Sequence, residues 1–177
     1  MDGDFMDAVQ FLDAIKADTE NAYEDLVMPY KPEKGEAEGN RTPTVVRMRL
    51  GKVSSSQKLA PYTIHTVITM DAKQEPGQTD ENSLCLRSVF CAYNEDPEEG
   101  SLGLLTMIER LKTHWLKNRV VDGRFEIDMK QGIQVLVYPD DTKDFYFAEM
   151  VTYWKLPPIQ REITLDGFNY YYGREES

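Results

Sequence analysis

SLCLRSVFCAY, residues 83–93, is the stretch that decides the fold. In an extended chain successive side chains point to opposite sides. Leu84, Leu86, Phe90 and Ala92 then line one face, and Cys85, Val89, Cys91 and Tyr93 line the other. Apolar residues on both faces mark a strand covered from both sides, and so a central position in a sheet. Soon after it, Asp96-Pro97-Glu98-Glu99 reads as a helix start: a capping carboxylate, proline in the first turn, then acids at the positive end of the helix dipole. Leu104, Ile108, Leu111 and Trp115 share one face of that helix, which runs to about residue 118. Gly100 and Gly103 weaken its first turn, so Ser101 is an alternative start.

Before this core unit, residues 62–70 (YTIHTVITM) read as a strand. Ile64, Ile68 and Met70 are expected on one face, with His65 and Val67 on the other. A turn-rich connection containing Pro76-Gly77 joins it to the central strand. After the helix comes a meander. Strands are expected near 124–129 and 133–138, joined as a hairpin through Gln131-Gly132. A turn over 139–144 leads to a long strand, 145–154, which Pro157-Pro158 ends. Residues 161–165 are expected to add a short edge strand.

At the N-terminal side, Phe5, Val9, Leu12, Ile15, Thr19, Ala22 and Leu26 recur at the helical period, which predicts a helix over 4–26 ended by Pro29 and Pro32. Residues 44–50 read as a half-buried strand. The polar stretches 31–42 and 51–60 read as mobile loops, and the tail 167–177 carries no period and reads as loosely ordered. The sum is a single α+β domain over 1–177: a mostly antiparallel sheet of five to seven strands packed with two main helices.

With 177 residues, 41% of them apolar, the chain can bury one core. Its net charge of −11 is uneven. Residues 1–40 hold eleven acids and three lysines, a net of −8, which leaves −3 for the rest. That segment repels phosphate backbones and no basic stripe offsets it, which argues against direct nucleic-acid binding. No apolar run approaches the roughly 20 residues needed to span a bilayer, and the chain opens with acids rather than a secretory signal. No membrane association and a cytoplasmic location are the expectation. Cys85 and Cys91 lie on one strand at a separation of roughly 20 Å, too far to bridge. Two thiols at that spacing match no metal pattern either, so both read as small buried residues.

Catalytic signatures are absent: there is no phosphate-binding glycine loop, no HExxH and no GxSxG. His65 and His114 are the only histidines, and each reads as a polar position on a packed element before it reads as a general base. Asp140, Asp141 and Asp144 lack the ligand order of a calcium loop and read as a solvated turn. No enzyme activity, cofactor or metal is expected. What stands out is aromatic. Phe145-Tyr146-Phe147 opens the last strand, and Glu149 shares a face with Phe145, Phe147, Val151 and Tyr153. Aromatic residues are enriched at protein interfaces, so Phe145, Tyr146, Phe147 and Glu149 are the candidate subunit or partner contact.

The order of features over residues 85–163 is familiar. VFCAYNED (89–96) ends a strand and runs into GLLTMIERL (103–111); NRVVDGRF (118–125) and a strand pair follow; EMVTYWKLPPIQRE (149–162) closes the run. This resembles the tail terminator, or tail completion, proteins of long-tailed phages and prophages, of the minor tail protein U type. The first helix and Ala60-Pro61-Tyr62 add to the likeness. The resemblance implies a small α+β protein that forms a hexameric ring on the tail tube and halts its polymerisation. It also implies a docking surface for the head connector or neck protein. Its place would be the host cytoplasm during assembly and then the virion tail, and its partners the major tail-tube protein and that connector. The family supplies no catalytic residues. The acidic stretch 31–42 and the tyrosine-rich tail depart from its pattern. A ring needs head-to-tail contacts that close by rotation, and loops 31–42 and 51–60 are expected to order against a neighbour. The alternatives are a head–tail connector or neck protein, an acidic DNA-mimic inhibitor, and an enzyme working through Glu149 or His65.

Overall fold

The computed structural model describes residues 8–50, 59–78, 80–139 and 142–158. Residues 4–7 of the expected first helix, most of the 51–60 loop, the expected edge strand at 161–165 and the 167–177 tail lie outside the described residues.

The chain forms α1 (Ala8–Ala22), β1 (Met28–Tyr30), β2 (Gly39–Arg41), β3 (Thr44–Arg47), β4 (Tyr62–Lys73) and β5 (Glu81–Tyr93). Then follow α2 (Pro97–Lys117), β6 (Val120–Val121), β7 (Phe125–Ile127), β8 (Ile133–Val137) and β9 (Phe145–Leu156). A seven-stranded sheet runs β3-β4-β5-β9-β7-β6, with β8 also on β9. Among the described strands only β3 and β4 pair in parallel; the other pairs are antiparallel. This is the expected α+β architecture, and β5 sits between the two longest partners, β4 and β9.

Both helices lie on one face of the sheet. Phe11, Ile15, Leu104, Leu111 and Trp115 meet Leu86, Phe90, Met150 and Trp154 in one apolar core. The Trp115 and Trp154 rings contact edge to face at 5.2 Å, and Phe11 stands 5.5 Å from Trp154. Such pairs add directional preference to plain area burial. The helices are also joined at their surface, where Asp18 accepts the Trp115 Nε1–H at 2.9 Å and lies 2.9 Å from His114 Nε2.

Several expectations change. Val9 belongs to the periodic stripe of α1, yet it is 59% exposed, and Phe11 takes the core position instead. α2 starts at Pro97, not Ser101, because Asp96 accepts the backbone N–H of Glu98 and Glu99. Gly100 is no weak point: a Cβ there would sit 2.2 Å from the Tyr146 ring, so the close approach of β9 requires glycine. β7 and β8 do not pair with each other as a hairpin. Both bond to β9, end to end along its outer side, with Ile127 opposite Trp154 and Ile133 opposite Thr152. A bulge at Ile68 breaks the alternation of β4: Ile64 lies opposite Val89, while Met70 lies opposite Leu84 and faces the helix side. The 31–42 stretch holds a strand, since Gly39–Arg41 pairs with Met28–Tyr30. β3 stops at Arg47, where Met48 takes a left-handed φ of 60°.

Candidate interaction surface

The face of the sheet away from the helices is laid out by strand register. Cross-strand partners share a face. One row runs Tyr62, Cys91, Phe147; the next runs Ile64, Val89, Glu149, Leu136. Beyond it come Thr66, Arg87, Val151, Gln134, and then Thr69, Cys85, Tyr153. The face therefore grades from aromatic at one end to polar at the other.

Its aromatic end is closed. Ala60, Tyr62, Cys91, Tyr93 and Phe145 form a second, smaller apolar cluster, against which Leu50, Leu59, Ile64 and Phe147 pack. The Tyr93 and Phe145 rings are 5.3 Å apart. Burial pushes the Tyr93 hydroxyl up to about 12, helped by its bond to Glu95 and the nearby Asp144 and Glu38 charges. It likewise pushes the Cys91 thiol up to about 12, against a hydrogen bond with Tyr62.

The middle of the face is open among the described residues. Arg87 directs Nε to Glu149 Oε2 at 2.5 Å, and its Nη2 reaches the same oxygen. The Tyr138 hydroxyl lies 3.4 Å from Arg87 Nη2. Burial pushes the Glu149 carboxyl up, but hydrogen bonds from Tyr138 and Arg87, with the Arg87 charge, outweigh it and leave the group below its ordinary value. Around this pair Leu136 is 52% exposed and Tyr153 37% exposed. An ion pair rimmed by exposed apolar side chains can fix the orientation of a docked surface through charge and gain affinity from the apolar rim.

The four residues singled out from sequence separate. Phe145 is buried inside the chain. Tyr146 faces the helices, over Gly100. Phe147 is half-buried at the border of the second cluster. Only Glu149 sits within the open region, and it lies in the interior of the sheet rather than at an edge. Arg87, Leu136 and Tyr138 were missed. Opposite charges in the middle of two apolar strands hinted at Arg87 with Glu149, but register decides such a pair, and composition does not encode register.

Of the two histidines, His65 is fully buried and ties three elements. Its Nε2 lies 2.9 Å from Thr19 Oγ1 on α1, and its Nδ1 lies 2.9 Å from Ser88 Oγ on β5. Thr19 donates its hydroxyl to Ile15 O, so it accepts from His65 Nε2–H, and Ser88 donates to Nδ1. Burial without a carboxylate partner lowers the ring to about 3. Cys85 and Cys91 are free and buried. Among the described residues no group of three or more His, Cys, Asp or Glu is placed to hold a metal ion, and no helix is long and apolar enough to cross a membrane. Asp140 and Asp141 lie outside the described residues. The chain matches no protein-family model and no curated protein.

Proposed function

We propose that the protein is a structural assembly protein of the phage tail. It caps the tail tube as a ring of identical subunits, stops tube polymerisation and joins the tail to the head connector. The observation that carries this reading is the open face of the sheet, where Leu136, Tyr138 and Tyr153 stand exposed around the Arg87–Glu149 pair. A rigid sheet with an exposed, mixed apolar and charged face is suited to building contacts between proteins. The stretches that resemble tail terminators also support it, for they make one continuous unit: β5, α2, β6, β7 and β9.

Native mass spectrometry over a concentration series, followed by negative-stain imaging, tests the reading. The expected result is a closed hexamer with a central hole, or a monomer that caps purified tail tubes. A monomer that leaves tubes uncapped overturns it. Glu149→Lys, which places two cations together on the open face, is expected to weaken the ring or the cap without unfolding the subunit.

A further inference from the structure

We infer that the cavity between the β1–β2 pair and the end of β5 binds an arginine side chain presented by a partner protein. This stands apart from the tail-assembly reading, which rests on the open face of the sheet. The cavity holds about 480 Å³. Its less polar walls are Pro29 and Tyr30 of β1, Pro32, and Tyr93 at the end of β5. Tyr30 pairs across the strands with Gly39, where a Cβ would stand 3.0 Å from its ring, so the ring lies over β2. Tyr93 is buried and held in place: its ring is 5.3 Å from that of Phe145, and its hydroxyl donates to Glu95 Oε1 at 3.2 Å. Tyrosine rings are surfaces on which a flat cation stacks. The chain itself uses this chemistry, for the Arg41 guanidinium stands 5.0 Å from the Tyr30 centroid, and Arg41 is not among the residues that line the cavity.

The charge of the cavity selects the ligand. Glu38, Glu95 and Asp96 line it, and among the described residues no lysine, arginine or histidine does. Asp96 is committed to the start of α2, where it accepts the N–H groups of Glu98 and Glu99. Glu38 and Glu95 are exposed, and among the described residues neither enters an ion pair. Both act on the Tyr93 hydroxyl, together with Asp144, so their charges lie close around one spot. Unbalanced carboxylates beside aromatic walls complement a cation. A guanidinium suits both features: its plane lies on tyrosine, and its N–H fork reaches carboxylate oxygens. Lysine brings a point charge with no flat face. Free arginine would bring its own carboxylate against a chain of net −11, which an arginine within a peptide does not. The volume suits a ligand larger than one side chain and leaves room for the residues beside it.

The test titrates acetyl-Gly-Arg-Gly-amide into the full chain under amide-resolved NMR. The controls are the lysine peptide, the uncharged citrulline peptide and free arginine. Saturable shifts are expected at Gly39, Asn94 and Glu95, with a Kd of about 1 mM at low salt. The lysine peptide should bind about threefold more weakly, and the citrulline peptide without saturation. Glu38→Gln combined with Glu95→Gln should weaken arginine binding about tenfold. Both positions are exposed, and glutamine keeps an acceptor for the Tyr93 hydroxyl, so the fold is retained. Tyr30→Leu, which keeps the charges and removes an aromatic face, should weaken binding about threefold. No saturable shift at these amides, equal binding of the lysine or citrulline peptide, or unchanged binding in either variant overturns the inference. Tighter binding of free arginine than of the peptide also overturns it, by assigning the cavity to a small molecule.

Discussion

His65 shows how one side chain can set an acid limit on the fold. Its ordinary pKa is 6.5, and burial holds it at about 3 in the folded chain. Above pH 6.5 the ring is neutral in both states, and its bonds to Thr19 and Ser88 are intact. As pH falls below 6.5, the unfolded chain takes up a proton that the folded chain refuses, so stability falls until about pH 3. Between pH 7 and pH 5 this amounts to about 2 kcal/mol. Urea unfolding at the two pH values should show that loss in the natural chain and not in His65→Gln; an equal loss in both would assign it to other groups. Cys85 and Cys91 should label slowly with a thiol reagent at pH 8 while the chain is folded, because burial raises both thiols. Rapid labelling of the folded chain would contradict their placement. Glu149→Gln should cost less than about 1 kcal/mol of stability, because Arg87 is 43% exposed and water screens the pair. Its larger effect is expected on assembly.

Elements meet through a few specific contacts, and these can be tested one by one. Asp96→Ala removes the acceptor for two backbone N–H groups at the start of α2 and should cost about 1 kcal/mol. Gly100→Ala pushes a methyl group into the Tyr146 ring and should cost roughly 1–3 kcal/mol in chemical denaturation. In a Tyr146→Ala background the same change should be neutral or stabilising, by up to about 1 kcal/mol, since alanine is the better helix former. A cost that persists in that background would mean the contact with β9 is not the reason for glycine. The helix stripes, the Asp96 cap and the strands β4, β5 and β9 were legible in the sequence, because each depends on local period and local hydrogen bonding. The false β7–β8 hairpin was not avoidable on those terms. Gln131-Gly132 does turn the chain, and Gly132 has a φ of 76°. The turn moves the chain along β9 rather than back onto β7, because β9 is long enough to serve both strands.

At the scale of the whole molecule, both helices and the sheet share one core. Phe11 of α1 touches both Phe125 and Trp154, and Trp115 of α2 touches Trp154. Neither helix can leave the sheet without opening that core, so the transitions followed by tryptophan fluorescence and by far-UV circular dichroism should coincide. Separate midpoints would show that α1 or α2 detaches on its own. Among the described residues, the one-sided placement of the helices also leaves the opposite face of the sheet with only the second cluster over its aromatic end. That asymmetry, more than any single residue, makes the middle of the face available for contacts.

By itself the sequence determined what its local periods can specify: an α+β chain with a central, doubly covered strand, two amphipathic helices and cysteines that cannot pair with each other. It also singled out the last long strand as a candidate contact. Tertiary structure alone decided which of those residues face outward. Phe145 turned inward because Tyr93 and Tyr62 lie across the sheet from it and its neighbours, and Arg87 became the partner of Glu149 because β5 and β9 pair in one register. Alternation along a strand tells which residues share a side. Which side is covered depends on where distant helices pack, and that is a property of the assembled core.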